Sequence, residues 1–199
     1  MSAIQKPLFA VEKYLPYIFL IAGILGFLAS FILTVDTIKI LQDPSYKPPC
    51  NISPIISCGS VMKTDQAAIF GFMNSLIGIA VYASLAVIGL VLFAGAKFKR
   101  WFWYLLQGTA ILTVIFVHYL IFQSLYRIGS LCPFCMVVWS VTMPSFWYLT
   151  LYNLKNSQFS GNKFFRFAYR YHGDFLLAWF VLIVGLILNR FWYYWSALF

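Results

Sequence analysis

The chain has 199 residues, of which 62% are hydrophobic and 10% charged, with a formal net charge of +9. So apolar a composition excludes a water-soluble globule, which needs polar residues to coat its surface. The basic excess falls in short segments between apolar runs, which speaks for membrane topology and anionic-lipid contact and against nucleic acid as a partner.

Five apolar stretches are long enough to cross about 30 Å of hydrocarbon as helices. They run from Tyr14 to Val35, Ser75 to Ala94, Trp101 to Tyr126, Leu131 to Leu151 and Phe175 to Trp195. The expected fold class is an all-α integral membrane protein. The first stretch reads as a retained helix, since its apolar run is too long for a signal peptide and no small-residue cleavage pattern follows Val35.

The first interhelical loop, Asp36 to Asn74, contains Asp43-Pro44, Lys47-Pro48-Pro49 and Ser53-Pro54, which forbid a continuous helix. From Ser57 to about Phe70 proline is absent and Val61, Met62, Ala68 and Ile69 recur at roughly helical spacing, predicting a short amphipathic surface helix. Gly71 ends it, and Asn74 is placed to cap the second membrane helix. His118 lies within the third helix and should face the bundle interior, because a histidine is costly in lipid. Gln123 and Ser124 lie nearer that helix's outer end. A basic linker, Asn153 to Asp174, with polar punctuation at Asn156-Ser157 and Ser160-Gly161-Asn162, precedes the fifth helix. That helix ends in Trp192, Tyr193, Tyr194 and Trp195, an expected interfacial anchor.

Lys6 and Lys13, Lys97, Lys99 and Arg100, and Lys155, Lys163, Arg166 and Arg170 all fall on one side of this topology. On the other side, Lys39, Lys47 and Lys63 are balanced by Asp36, Asp43 and Asp65, and the third loop carries Arg127 alone. The positive-inside rule makes the first side cytoplasmic, so the amino terminus is expected inside and the carboxyl terminus outside.

All four cysteines fall in or beside the outer loops, where an oxidising compartment permits disulfides. In Leu131-Cys132-Pro133-Phe134-Cys135, proline suits a first helical turn, so Cys132 sits where free N–H groups and the helix dipole stabilise a thiolate. Cys135, one turn on, faces the same side and can close a disulfide with Cys132. The spacing also occurs in zinc sites, but no histidine accompanies it, so no metal is expected. Cys50 and Cys58 bracket a turn-rich loop that can close on itself or swing toward Cys132, which suits a shuttle better than a staple. Two inert structural disulfides in a non-catalytic membrane protein are the alternative.

The stretch Cys50-Asn51-Ile52-Ser53-Pro54-Ile55-Ile56-Ser57-Cys58, then Phe70-Gly71 and Asn74, then Cys132-Pro133-Phe134-Cys135 at a helix start, resembles the vitamin K epoxide reductase (VKOR) family, its bacterial branch in particular. The resemblance covers the first four helices, roughly residues 14 to 151. It implies a four-transmembrane-helix bundle holding a quinone near its outer end, followed by a fifth membrane helix. Residues 1–152 would form the catalytic domain and 153–199 the cytoplasmic linker and last helix. Cys132 and Cys135 would be the active-site pair, Cys50 and Cys58 the shuttle pair, and Asn74 a hydrogen-bond donor to a quinone carbonyl. Trp139 stands where vertebrate members carry tyrosine, so its indole N–H or plain packing would replace the phenol. His118 would join a proton path to the quinone, or remain a neutral histidine bonded to a neighbouring helix.

The implied activity is a quinone-dependent thiol-disulfide oxidoreductase of a bacterial plasma membrane, with its active site on the extracytoplasmic face and a menaquinone, ubiquinone or vitamin K as acceptor. Because the sequence stops at Phe199 without a fused thioredoxin-like domain, the thiol partner is expected to be a separate thioredoxin-fold or DsbA-like protein. The cysteine motifs equally allow a reductase of vitamin K or its epoxide in an endoplasmic-reticulum membrane. Within the loop pair, Cys58 starts the surface helix and is the expected exchange partner of Cys132, leaving Cys50, in a more exposed stretch, for the protein partner.

Overall fold

A computed structural model of the protein describes residues 11–156 and 163–196. Lys6, Phe199 and linker residues 157–162 lie outside the described residues. The helices are α1 (Val11–Gln42), α2 (Cys58–Met62), α3 (Asn74–Phe93), α4 (Arg100–Phe122), α5 (Pro133–Lys155), α6 (Lys163–Arg170), α7 (His172–Arg190) and α8 (Trp192–Trp195). Five of them, α1, α3, α4 with its continuation to Ile128, α5 and α7, are long and apolar enough to cross a bilayer. The chain is a multi-pass, all-α membrane protein.

α1 occupies the centre. Leu15, Phe19, Ala22, Gly26, Ala29 and Ser30 follow helical spacing and are buried against α3 and α5, while Ile21, Leu25 and Leu28 on the opposite face are exposed to lipid. Helices in a bilayer gain little from burying apolar surface, so close backbone approach must hold them. Small residues provide it: a Cβ on Gly23 would stand 2.4 Å from the Ala86 backbone N, and one on Gly89 2.7 Å from the Leu20 backbone N. Buried hydroxyls add links across the bundle, Thr34 to Ser75 at 2.8 Å and Tyr82 to Thr142 at 2.5 Å.

α4 leans on α5 through Gln107, which donates to Thr150 and accepts from Asn153, both at 3.0 Å. Residues of both α3 and α4 line a space at the cysteine end of the bundle. α7 packs against α4 and α5, where Ile183, Ile187 and Phe191 join Val117, Ile121, Leu125 and Trp139 in one buried cluster. It ends at Arg190, short of the aromatic run, and the exposed Trp192 and Tyr193 follow in α8.

α1 runs seven positions past the expected Val35 and carries Asp36 and Lys39 in its last turns. The expected surface helix is broken in two. α2 stops at Met62, the Thr64 hydroxyl bonds back to the Val61 carbonyl at 2.7 Å, and the extended backbone of Thr64 redirects the chain into a 3-10 turn over Asp65–Ala68. Gly71 then turns the chain with a φ of +81°, a conformation that favours glycine. Asn74 is the first residue of α3, whose cap is Met73. Its amide instead ties down the surface segment, donating to the Gln66 carbonyl at 2.7 Å and accepting from the Ile69 N–H at 3.3 Å.

Candidate redox site

The first loop is fastened to the start of α5 by backbone pairing. Ile56 and Leu131 form a parallel bridge in which Leu131 N–H donates to the Ile55 carbonyl at 2.7 Å and Ser57 N–H donates to the Leu131 carbonyl at 2.9 Å. Cys58 follows Ser57 and Cys132 follows Leu131, so this pairing brings the two cysteines side by side. Ser57 also caps α2, its hydroxyl accepting from Ser60 N–H at 3.2 Å. Asn51 Oδ1 collects the Ser57 hydroxyl at 3.0 Å and the Gly59 N–H at 2.9 Å, so the loop between the cysteines is closed by its own polar groups.

Cys50 and Cys58 form a disulfide, while Cys132 and Cys135 are thiols. Cys132 Sγ stands 3.3 Å from Cys58 Sγ. A thiol in contact with a disulfide sulfur is the geometry from which exchange proceeds. Leu33, Val61, Met62 and Phe134 pack around the three sulfurs, leaving Cys50 6%, Cys58 0% and Cys132 1% exposed. Cys50 is thus less accessible than its proline-rich surroundings suggest.

Cys132 caps α5, with Pro133 as the first helical residue. Its thiol is held below the ordinary range, chiefly by the Cys135 thiol hydrogen-bonded to it and further by the N–H groups of Cys135 and Phe134. Burial and the negative charge of Asp36 push the other way. Asp36 is 5% exposed; its Oδ1 accepts from the Tyr46 hydroxyl at 2.9 Å, and its Oδ2 has no partner among the described residues. Composition places this residue in the loop's charge balance. Only the longer α1 reveals it as a buried acid beside the sulfurs.

A cavity of about 810 Å³ opens from the two thiols into the space between α3 and α4. Cys132, Cys135, Trp139 and Asn74 line its inner end, and Leu112 and Ile115, 69% and 61% exposed, line its mouth toward lipid. Of the residues singled out in the sequence, all but one of the seven, His118, are gathered here or at the adjoining disulfide. His118 bonds the Val114 carbonyl through Nδ1 at 2.8 Å and accepts from Trp179 Nε1 of α7 at 3.0 Å. It belongs to the α4 and α7 contact and is not part of the cavity lining. Gln123 lines the cavity as well.

A sequence model of the Vitamin K epoxide reductase family matches residues 17–150. The match runs from the first turns of α1 nearly to the end of α5 and takes in both cysteine pairs, leaving α6 to α8 beyond it. The bundle, the juxtaposed cysteine pairs and a match over more than half of the chain agree: the protein belongs to the vitamin K epoxide reductase family, whose members are membrane oxidoreductases.

Proposed function

We propose that the protein passes electrons from a reduced extracytoplasmic thioredoxin-fold partner, through Cys50–Cys58 and then Cys132–Cys135, to a membrane quinone, and so supports disulfide-bond formation. The observation that carries this reading is the 3.3 Å approach of Cys132 Sγ to the Cys50–Cys58 disulfide, with Cys135 opening onto an apolar cavity. The reading assigns catalysis to residues 1–152 of a bacterial plasma-membrane protein and puts the basic segments in the cytoplasm.

The exchange steps balance. A partner thiolate attacks Cys50, Cys58 leaves, and the partner's second thiolate resolves the mixed disulfide, so the partner is oxidised and the loop pair reduced. Cys58 thiolate then attacks Cys132 of the closed Cys132–Cys135 pair and Cys135 leaves. Cys50 next attacks Cys58 and releases Cys132, which re-forms the loop disulfide and reduces the inner pair. That outcome corresponds to the arrangement of sulfurs described above. Protein dithiols generally yield electrons to membrane quinones because the quinones are more oxidising.

The cavity suits such an acceptor. Its volume of about 810 Å³ lies within the usual range of ligand sites, roughly 300–1,000 Å³. Its wall is mostly apolar and open to lipid, as a prenylated ring requires. Asn74 Nδ2 retains a second hydrogen beyond the one given to Gln66, and Trp139 offers a flat indole beside Cys135. A quinone held there would supply a two-electron, two-proton sink. The chain's part is to keep Cys132 ionisable, to hold Cys135 at the ring and to exclude water.

Steady-state assays with two thiol donors test the reading. With Cys50 or Cys58 replaced by alanine, dithiothreitol should still drive quinone reduction, whereas a thioredoxin-fold donor should not. With Cys132 or Cys135 replaced, neither donor should work. Equal loss with both donors in the loop variants would contradict the relay.

A further inference from the structure

α4 does not stop where its regular ladder stops. At Gln123 it widens into a π-helical turn that runs to Ile128 and is closed by Gly129 at a φ of +68°. The Gly129 N–H reaches back five residues to the Ser124 carbonyl at 3.0 Å. Such a turn inserts a residue into the helix and re-aims its side chains, and it commonly marks a functional position. Two contacts from outside the ladder hold it: the Ser124 hydroxyl donates to the Ser130 carbonyl, and Arg190 Nε of α7 donates to the Leu125 carbonyl at 2.9 Å.

The residue that opens this turn, Gln123, lines the cavity together with Cys135 and Trp139. Its Oε1 is shielded from solvent and has no hydrogen-bond partner among the described residues. An amide oxygen in an apolar wall is unfavourable unless something supplies a donor. A lipid acyl chain carries none. A quinol, with its ring hydroxyls, does.

We propose that the Gln123 amide is a direct hydrogen-bonding contact for a ring oxygen of the quinone or quinol in this cavity, and that Arg190 is a positioning residue which holds the π turn that presents it. The inference rests on reading the cavity as a quinone site. The amide suits both redox forms: Oε1 accepts from a quinol hydroxyl, and the amide turned over donates N–H to a quinone carbonyl. It also gives α7, which lies beyond the family match, a part in shaping the site.

Equilibrium binding to the full, oxidised protein in detergent separates this contact from general packing. The probes are 2,3-dimethyl-1,4-naphthoquinone, whose substituted ring resists thiol addition, and 2,3-dimethylnaphthalene, which has the same rings without oxygens. Gln123→Met should raise the Kd of the quinone about three- to tenfold, the value of one hydrogen bond, and leave the hydrocarbon unchanged. Arg190→Gln should weaken the quinone in the wild-type background and add nothing to Gln123→Met. An unchanged quinone Kd in Gln123→Met, or equal weakening of both probes, would overturn the proposal. If the wild-type protein bound the hydrocarbon but not the quinone, the reading of the cavity itself would fall, and this inference with it.

Discussion

Replacing Cys135 should trap the protein in a Cys58–Cys132 disulfide at a rate that depends on what replaces it. Cys132 Sγ starts 3.3 Å from Cys58 Sγ, and a disulfide closes at about 2.05 Å, so the sulfurs need approach by only about 1.3 Å. Attack transfers the bond from Cys50–Cys58 to Cys58–Cys132 and frees Cys50; without Cys135 nothing on the inner side resolves it, and only return attack by Cys50 opposes the trap. The attacking species is the thiolate, and the Cys135 thiol is the largest influence holding the Cys132 thiol low. Alanine removes that hydrogen bond, whereas serine keeps a donor. Trapping should therefore reach its plateau at lower pH in Cys135→Ser than in Cys135→Ala, and below each midpoint should slow about tenfold per pH unit. The number of free thiols is the same before and after exchange, so total alkylation is uninformative; mass spectrometry of non-reduced digests taken over a pH series gives the pairing. A dominant Cys50–Cys132 species, or a common midpoint for the two variants, would refute the reasoning.

Three further perturbations probe the surroundings of the sulfurs and the bundle. Asp36→Asn removes the charge that raises the Cys132 pKa, so Cys58–Cys132 trapping in a Cys135→Ser background should extend to lower pH; a shift upward would contradict the assignment. Ser57→Ala removes the α2 cap and one of the Asn51 contacts, at a cost of about 1 kcal/mol, and should loosen the loop, seen as faster amide exchange over residues 51–60 and slower Cys58–Cys132 trapping. Gly89→Val places a side chain against the Leu20 backbone and should cost roughly 1–3 kcal/mol of stability, read as a lower midpoint of thermal unfolding in detergent; wild-type stability would mean that α1 and α3 are not held by close approach.

The membrane helices were legible because hydropathy over about twenty residues is a strong signal, imposed by the thickness of the hydrocarbon. Both cysteine pairs, and Cys132 at a helix start, were legible because proline and helix-end chemistry are local. The structure places Cys58 Sγ 3.3 Å from Cys132 Sγ, a contact between segments far apart in sequence. Features made by contact between distant segments were not legible. The Ile56 and Leu131 bridge joins residues far apart in sequence and has no pattern of its own. Asp36 sits in α1 because the helix continues into polar sequence, supported by Tyr46 from the following loop. His118 was expected to face the bundle interior, but it is exposed on α4, where its ring bonds Trp179 of the fifth membrane helix. The π turn at Gln123 depends on Arg190, more than sixty residues away, and no local signal announces it.

The central claim is that electrons pass from the cysteine pairs to a quinone, and anaerobic stoichiometry tests it most directly. The fully reduced protein is mixed with excess oxidised quinone while quinol formation and free thiols are followed together. The account predicts that two thiols disappear for each quinol formed, since the couple transfers two electrons. All four thiols should be consumed in the wild-type protein, only Cys132 and Cys135 when Cys50 and Cys58 are both alanine, and none when Cys132 is alanine. Thiols that persist in the wild-type protein while the quinone stays oxidised would contradict it.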